Sequence, residues 1–226
     1  MVARIAPFLG FMLFIGLDEL LGFFAGRGMI SFTPADRMLL YPLRAGAAAL
    51  LLFWFYKHYD ELRWRDLSHF RNTLLSLGTG LLVFVLWINM DWPLPFVGGA
   101  PRVGFDPELI AGSGARTALV AVRLAGAVLV VPLMEELFWR SFLLRYLVDN
   151  NFLKVEIGYF TIGSCLISAL LFGLEHHLFF AGVMAGLFYN LLIYKTKSLA
   201  QCVFAHAVTN LALGIYVLTT ASWHFW

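Results

Sequence analysis

"LVVPLMEELFWRSFLL", residues 129–144, places two adjacent acids, Glu135 and Glu136, and a base, Arg140, inside an apolar run. A charged side chain at the centre of a membrane helix costs roughly 2.5–3.5 kcal/mol, so three of them need a reason. On a helix, residues four apart share a face, and Glu136 precedes Arg140 in the favourable order. Glu135 lies about 100° around the helix from Glu136. Arg140 therefore cannot serve both acids equally. One acid is expected to be neutralised and the other to point into a cavity, where a carboxylate can act as a general base. Pro132 is expected to kink or begin the helix. Taken alone, the stretch also reads as an ion-pair staple that only orders a bundle.

The composition decides the solvent. Of 226 residues, 61% are hydrophobic and 13% charged, against about 25% charged in soluble domains. Mean hydropathy is +0.80. These values predict an all-α, polytopic transmembrane helix bundle of about seven to eight helices, forming one integral-membrane domain over 1–226. Membrane helices need about 20 apolar residues. Spans are expected near 5–25, 38–56, 72–90, 117–134, 158–176, 179–194 and 199–220, with 135–149 extending the fourth or forming its own helix. Residues 91–116 are rich in Pro and Gly and read as irregular. The first apolar run contains Asp18 and Glu19 and is read as a membrane helix rather than a cleavable leader. A net charge of +2 gives no reason to expect a nucleic-acid partner. Cys165 and Cys202, in apolar stretches with no CxxC, read as packing residues.

Lys and Arg set the expected orientation. A cytoplasmic N-terminus puts Lys57, Arg63, Arg65, Arg71, Arg140, Arg145, Lys154, Lys195 and Lys197 inside. Arg27, Arg37, Arg102 and Arg116 then lie outside.

Two further stretches carry polar groups in apolar helices. "LLFGLEHHLFFAG", 170–182, sets Phe172 and His176 on one face, flanked by Glu175 and His177, which are expected near an entrance. "LAQCVFAHAVTNLAL", 199–213, sets His206 and Asn210 four apart. Each pair has a bland reading as a hydrogen-bonded helix contact. Together the three stretches provide a base, two imidazoles and an amide, which is what water-driven hydrolysis of an amide needs. Ser164, Ser168 and the cysteines lie in no nucleophile motif. Asp18, Glu19, Arg44 and Arg123 read as structural or cavity-lining groups, with Arg123 expected to pair with an acid of the first helix.

The ordered motifs EExxxR, FxxxH and HxxxN, met by Glu135, Glu136 and Arg140, by Phe172 and His176, and by His206 and Asn210, resemble the CPBP family. These are the CAAX prenyl proteases of the Ras-converting-enzyme type and their bacterial relatives. The resemblance covers roughly 117–215, the expected catalytic core, and includes "GLFYNLLIYKTKSLAQCVFAHAVTN". The N-terminal helices, 1–90, with "YPLRAGAAALLLFWFYKHYDELRW", are similar to bacterial CAAX-protease-related proteins that accompany exosortase and PEP-CTERM sorting systems.

The resemblance implies a glutamate-dependent intramembrane endopeptidase acting on a membrane-anchored protein or a lipidated peptide. Glu135 and His176 would activate water, and His206 and Asn210 would form the oxyanion hole. Glu136, Arg140 and Phe172 would support the site. No cofactor is expected. Zinc on Glu135, His176 and His206 is the alternative. Other readings are a non-proteolytic maturation or immunity factor that keeps the site, and a small proton-coupled transporter. The bacterial inner membrane is the expected location.

A depth problem follows from these spans. Straight helices would leave Glu135, His176 and His206 at different levels of a bilayer core about 30 Å thick. A kink at Pro132, a thinned bilayer or a short interfacial helix would each reconcile them.

Overall fold

The stretch that opens the sequence reading lies within one continuous helix, Ser113–Tyr146, of 34 residues. At 1.5 Å per residue it is about 51 Å long. The computed structural model describes residues 1–90, 92 and 104–226. Of the stretch 91–116 expected to be irregular, residues 91 and 93–103, Arg102 included, fall outside the described residues; 104–112 hold one short helical turn, Pro107–Leu109, and 113–116 already belong to the next long helix. Within the described residues there are seven main helices and no strands: α1 (Val2–Gly26), α2 (Pro34–Trp54), α3 (Phe70–Trp87), α4 (Ser113–Tyr146), α5 (Ile162–Glu175), α6 (Phe179–Thr196) and α7 (Leu199–Thr220).

Five of these, α1, α3, α4, α6 and α7, are long and apolar enough to cross a membrane. The other two expected spans are α2, which returns the chain across the bundle to the Arg4–Glu61 contact, and α5. α2 carries Asp36, Arg37 and Arg44. α5 has 14 residues, about 21 Å, too few for the hydrocarbon core.

α4 is regular only in part. Gly126–Val130 and Leu137–Leu143 are π-helical turns on either side of the α-helical Val131–Glu136. π turns insert an extra residue, and they recur at functional sites. Pro132 has no N–H to donate. It follows directly on the first widened turn and sits inside the long helix rather than starting one.

The short α5 resolves the depth problem. Arg145 donates to the Val155 carbonyl at 3.1 Å, and the Lys197 ammonium bonds the Gly158 carbonyl. The C-terminal end of α4 and the N-terminal ends of α5 and α7 thus share one end of the bundle. Counted from that end at 1.5 Å per residue, His206 is about 10 Å in, Glu135 about 16 Å and His176 about 21 Å. His176 caps α5 and so stands inside the bundle, not at the far surface.

Small residues let the helices approach closely, as in membrane packing generally. A Cβ on Gly186 of α6 would stand 3.0 Å from the Ala169 Cα of α5. A Cβ on Gly80 of α3 would collide with the Ala205 carbonyl of α7. Polar links add register. Asn190 Nδ2 donates to the Cys165 carbonyl at 3.0 Å and to Ser168 Oγ at 2.9 Å. Ser76 Oγ donates to Gln201 at 2.6 Å.

The loop between α2 and α3 is clipped to the bundle by a buried acid. Arg4 donates to Glu61 from Nε at 2.7 Å and from Nη2 at 2.6 Å. Ser141 Oγ also bonds that carboxylate. Burial pushes the Glu61 carboxyl up, but the bonds from Arg4 and Ser141 outweigh it and hold the group below its ordinary 4.5. A carboxyl lowered by folding contributes stability that is complete above the unfolded value and is lost as pH falls through the folded one. Melting temperature in detergent is therefore expected to drop as pH falls through and below the ordinary carboxylate range, and Glu61→Gln is expected to flatten that drop. An unchanged acid limb in Glu61→Gln would remove Glu61 as its cause.

Candidate active site

Arg140 sits on the face of Glu136. Its Nε lies 3.3 Å from Glu136 Oε2 and its Nη1 donates to Oε1 at 3.3 Å. Arg140 is 1% exposed and Glu136 fully buried. This corrects the reading of Arg140 as a cytoplasmic loop charge, because the side chain is in the core. Its Nη2 donates to the Gly186 carbonyl at 3.3 Å. Its guanidinium lies over Phe172 at 4.6 Å and over Tyr189 at 5.2 Å. Gly186 permits the approach of α5 that brings Phe172 under the guanidinium.

Glu135, one residue earlier, turns away to line a cavity of about 680 Å³. Its Oε2 is buried and has no hydrogen-bond partner among the described residues. A buried carboxylate oxygen without a donor is poised to accept from a water or a substrate N–H.

His176 Nδ1 contacts the Phe172 carbonyl at 2.7 Å. A carbonyl only accepts, so Nδ1 carries the proton and Nε2 keeps its lone pair. The ring is held edge-on by Trp87 at 5.2 Å and lines the same cavity. Phe172 lies 4.7 Å from His176, 6.3 Å from His206 and 5.6 Å from Trp139, ring to ring. It is the spacer between the two imidazoles.

His206 comes from the first third of α7. Its Nδ1 bonds Glu136 Oε1 at 2.9 Å, and its Nε2 is 4.0 Å from Glu135 Oε2. Tyr189 stacks on the ring at 5.0 Å. The Tyr189 hydroxyl donates to Thr209 Oγ1 at 2.8 Å, and Thr209 donates on to the Gly80 carbonyl at 2.8 Å. Three helices thus fix the orientation of one imidazole. Asn210, one turn along, donates from Nδ2 to the Ala127 carbonyl in the first π turn at 2.7 Å. One of its two amide hydrogens is left over, and the residue lines the cavity.

The structure therefore brings Glu135, Phe172, His176, His206 and Asn210 to one cavity, with Glu136 and Arg140 behind its wall. Glu175 also lines it, held by the Trp139 indole N–H at 3.1 Å. The sequence placed Glu175 only at an entrance, although an acid at the apolar end of α5 was signal enough to rank it higher. Tyr189, Thr209 and Trp139 gave no signal, since aromatic and hydroxyl residues in apolar helices are unremarkable. His177 lines the cavity and contacts the His224 carbonyl at 3.1 Å.

Two other expectations resolve differently. Asp18 of α1 meets Arg37 of α2, 3.4 Å apart. Arg123 lies over the rings of Tyr41, Phe105 and Trp226. Among the described residues, no three His, Cys, Asp or Glu side chains are grouped to hold a metal ion.

The fold and site define a polytopic helical membrane protein that gathers its reactive side chains inside the bundle. Residues 117–212 match the family model described as type II CAAX prenyl endopeptidase Rce1-like. All seven motif residues fall in the matched segment, and the helices before it lie outside. No curated protein and no solved structure matches the chain significantly.

Proposed function

We propose that the protein hydrolyses a peptide bond of a membrane-anchored or lipidated protein, using water activated by Glu135 and His176. The observation that carries this reading is the convergence of Glu135, His176, His206 and Asn210, from three helices, on one cavity. Water between Glu135 Oε2 and His176 Nε2 gives up a proton to the carboxylate. The hydroxide adds to the substrate carbonyl. The oxyanion then accepts hydrogen bonds from His206 Nε2 and from the spare Asn210 hydrogen, and the proton passes to the leaving amine as the C–N bond breaks.

For His206 to donate from Nε2 while Nδ1 faces Glu136, both nitrogens must carry protons. Glu136 is the anchor shared by Arg140 and His206. The step needs no metal from these residues.

The positive loops support a cytoplasmic N-terminus in a bacterial inner membrane. Arg4, Glu61, Arg145 and Lys197 all fall at that end of the bundle.

Wild-type protein in detergent, incubated with a library of lipid-anchored peptides, is expected to give new amino termini detectable by mass spectrometry. His206→Ala is expected to cut about 100-fold or more slowly. Products from wild type and His206→Ala at equal rates would remove the oxyanion role. A maturation factor or a transporter would cut no member of the library.

A further inference from the structure

We propose that Glu175 is the acid that protonates the leaving amine nitrogen. The inference rests on the peptidase reading and names the group that hands the proton on. Hydrolysis of an amide needs two proton transfers, one from the attacking water and one to the departing nitrogen. Glu135 serves the water. Most other groups on the cavity wall are committed. His176 uses its Nδ1 proton on the Phe172 carbonyl. The Tyr41 hydroxyl donates to the Arg123 carbonyl, and the Tyr189 hydroxyl donates to Thr209. His206 and Asn210 face the oxyanion. Glu175 lines the same cavity and has no part in those steps.

Its position does not suit a structural acid. Glu175 is the last residue of α5, where the helix dipole is negative and disfavours a carboxylate. The backbone there is nevertheless fixed, since a Cβ on Gly173 would collide with Val183 of α6. The chain leaves the helix at His176 with φ −99° and ψ 140°, an extended conformation. Consecutive side chains, Glu175 and His176, thereby reach one cavity.

α4 holds the carboxyl from the other side. The Trp139 indole N–H donates to Glu175 Oε2 at 3.1 Å. Trp139 lies four residues after Glu135, and its ring is held edge-on by Phe172 at 5.6 Å and by Phe8 at 5.8 Å. An indole N–H only donates, so the bond forms with either protonation state of the acid. It engages one oxygen of the carboxyl and not the other.

The two carboxyls act on each other. Glu175 influences Glu135 through space more strongly than the adjoining Glu136 does. Two carboxylates at one buried cavity repel, and a single proton held between them removes the repulsion. Glu175 enters the cycle with that proton. It gives the proton to nitrogen as the C–N bond breaks and its electron pair goes to nitrogen. Glu135, which holds the proton taken from water, then passes it to the Glu175 carboxylate. Both acids end as they began. One water has been divided between the carboxylic acid and the amine.

The leaving group provides the test. The probes are the lipid-anchored library peptide that the wild type cuts fastest and its depsipeptide, in which an ester oxygen replaces the scissile N–H. An amine departs only with an added proton, whereas an alcohol oxygen leaves with much less help from an acid. Glu175→Gln is expected to lower amide cleavage about 100-fold or more and ester cleavage less than about threefold. Glutamine keeps an oxygen to accept from Trp139, so its melting temperature is expected to stay close to that of the wild type. Glu135→Gln is expected to lower both cleavages, which separates the loss of the base from the loss of the acid. Trp139→Phe frees the Glu175 carboxyl without removing it and is expected to lower amide cleavage about tenfold, again with little effect on the ester. Equal losses on amide and ester in Glu175→Gln overturn the proposal, because an acid that only positions substrate or braces the fold affects both. Unchanged amide cleavage also overturns it. If Glu175→Gln does not fold, equal losses in Trp139→Phe do the same. A wild type that cuts neither probe removes the peptidase reading itself and this inference with it.

Discussion

Glu135→Gln is expected to lower peptide cleavage by about 10²–10⁴-fold while leaving the melting temperature of the purified protein nearly unchanged. The two halves follow from the same observation. Glu135 Oε2 has no hydrogen-bond partner among the described residues, so a carboxamide there breaks no existing bond. Its neighbour Glu136 holds both Arg140 and His206, so the ion-pair network behind the wall stays intact. What the amide cannot do is take a proton from water. The carboxylate's other contact is the 4.0 Å approach to His206 Nε2, too long for a hydrogen bond. The measurement is initial rate on a cleaved library peptide, paired with a melt of the same preparation. Retained activity in Glu135→Gln would remove it as the base and turn attention to Glu175, the second carboxylate at the cavity. A large loss of stability would instead return Glu135 to a structural role.

How much of this was legible beforehand divides along physical lines. Helix α7 was read over 199–220 and is found there, because a long apolar run that follows a Lys-rich turn has one solution in a membrane. The division of labour between Glu135 and Glu136 rests on the 100° turn between adjacent residues, and α4 keeps that angle because both acids lie in its α-helical segment Val131–Glu136, before the second π turn begins at Leu137. Span counting failed where length and charge compete. The reading of 158–176 as a crossing helix included Gly158 to Thr161, which are not helical, and the 14 residues that remain end at His176 inside the bundle.

The π turns were not readable either. They follow from how the chain passes Pro132 and packs against neighbours, not from local propensity. The same holds for the Tyr189 stack on His206, which needs α6 and α7 to be juxtaposed before either residue has meaning. Arg140 was misplaced as a loop charge because a rule that counts cations near helix ends cannot know that a 34-residue helix continues past it.

Arg140→Met tests the opposite kind of residue. The change strips Glu136 of its main counter-charge in a fully buried position, removes the bond to the Gly186 carbonyl, and empties the space over Phe172 and Tyr189. Breaking one side of a buried ion pair costs about 3–5 kcal/mol. For a chain of this size that corresponds to a fall in melting temperature of roughly 6–20 °C. The double variant Glu136→Gln, Arg140→Met removes both charges and is expected to regain most of that loss, since no unpaired carboxylate remains. Cleavage should not return with the stability. His206 would lose the carboxylate at 2.9 Å that holds its Nδ1 proton, and with it the second proton that lets Nε2 face an oxyanion. Melting curves and cleavage rates on the four members of the cycle give the result directly. A single Arg140→Met variant that melts within about 2 °C of wild type would mean that the pair contributes little to the fold. A double variant that is both stable and fully active would detach Glu136 from the orientation of His206.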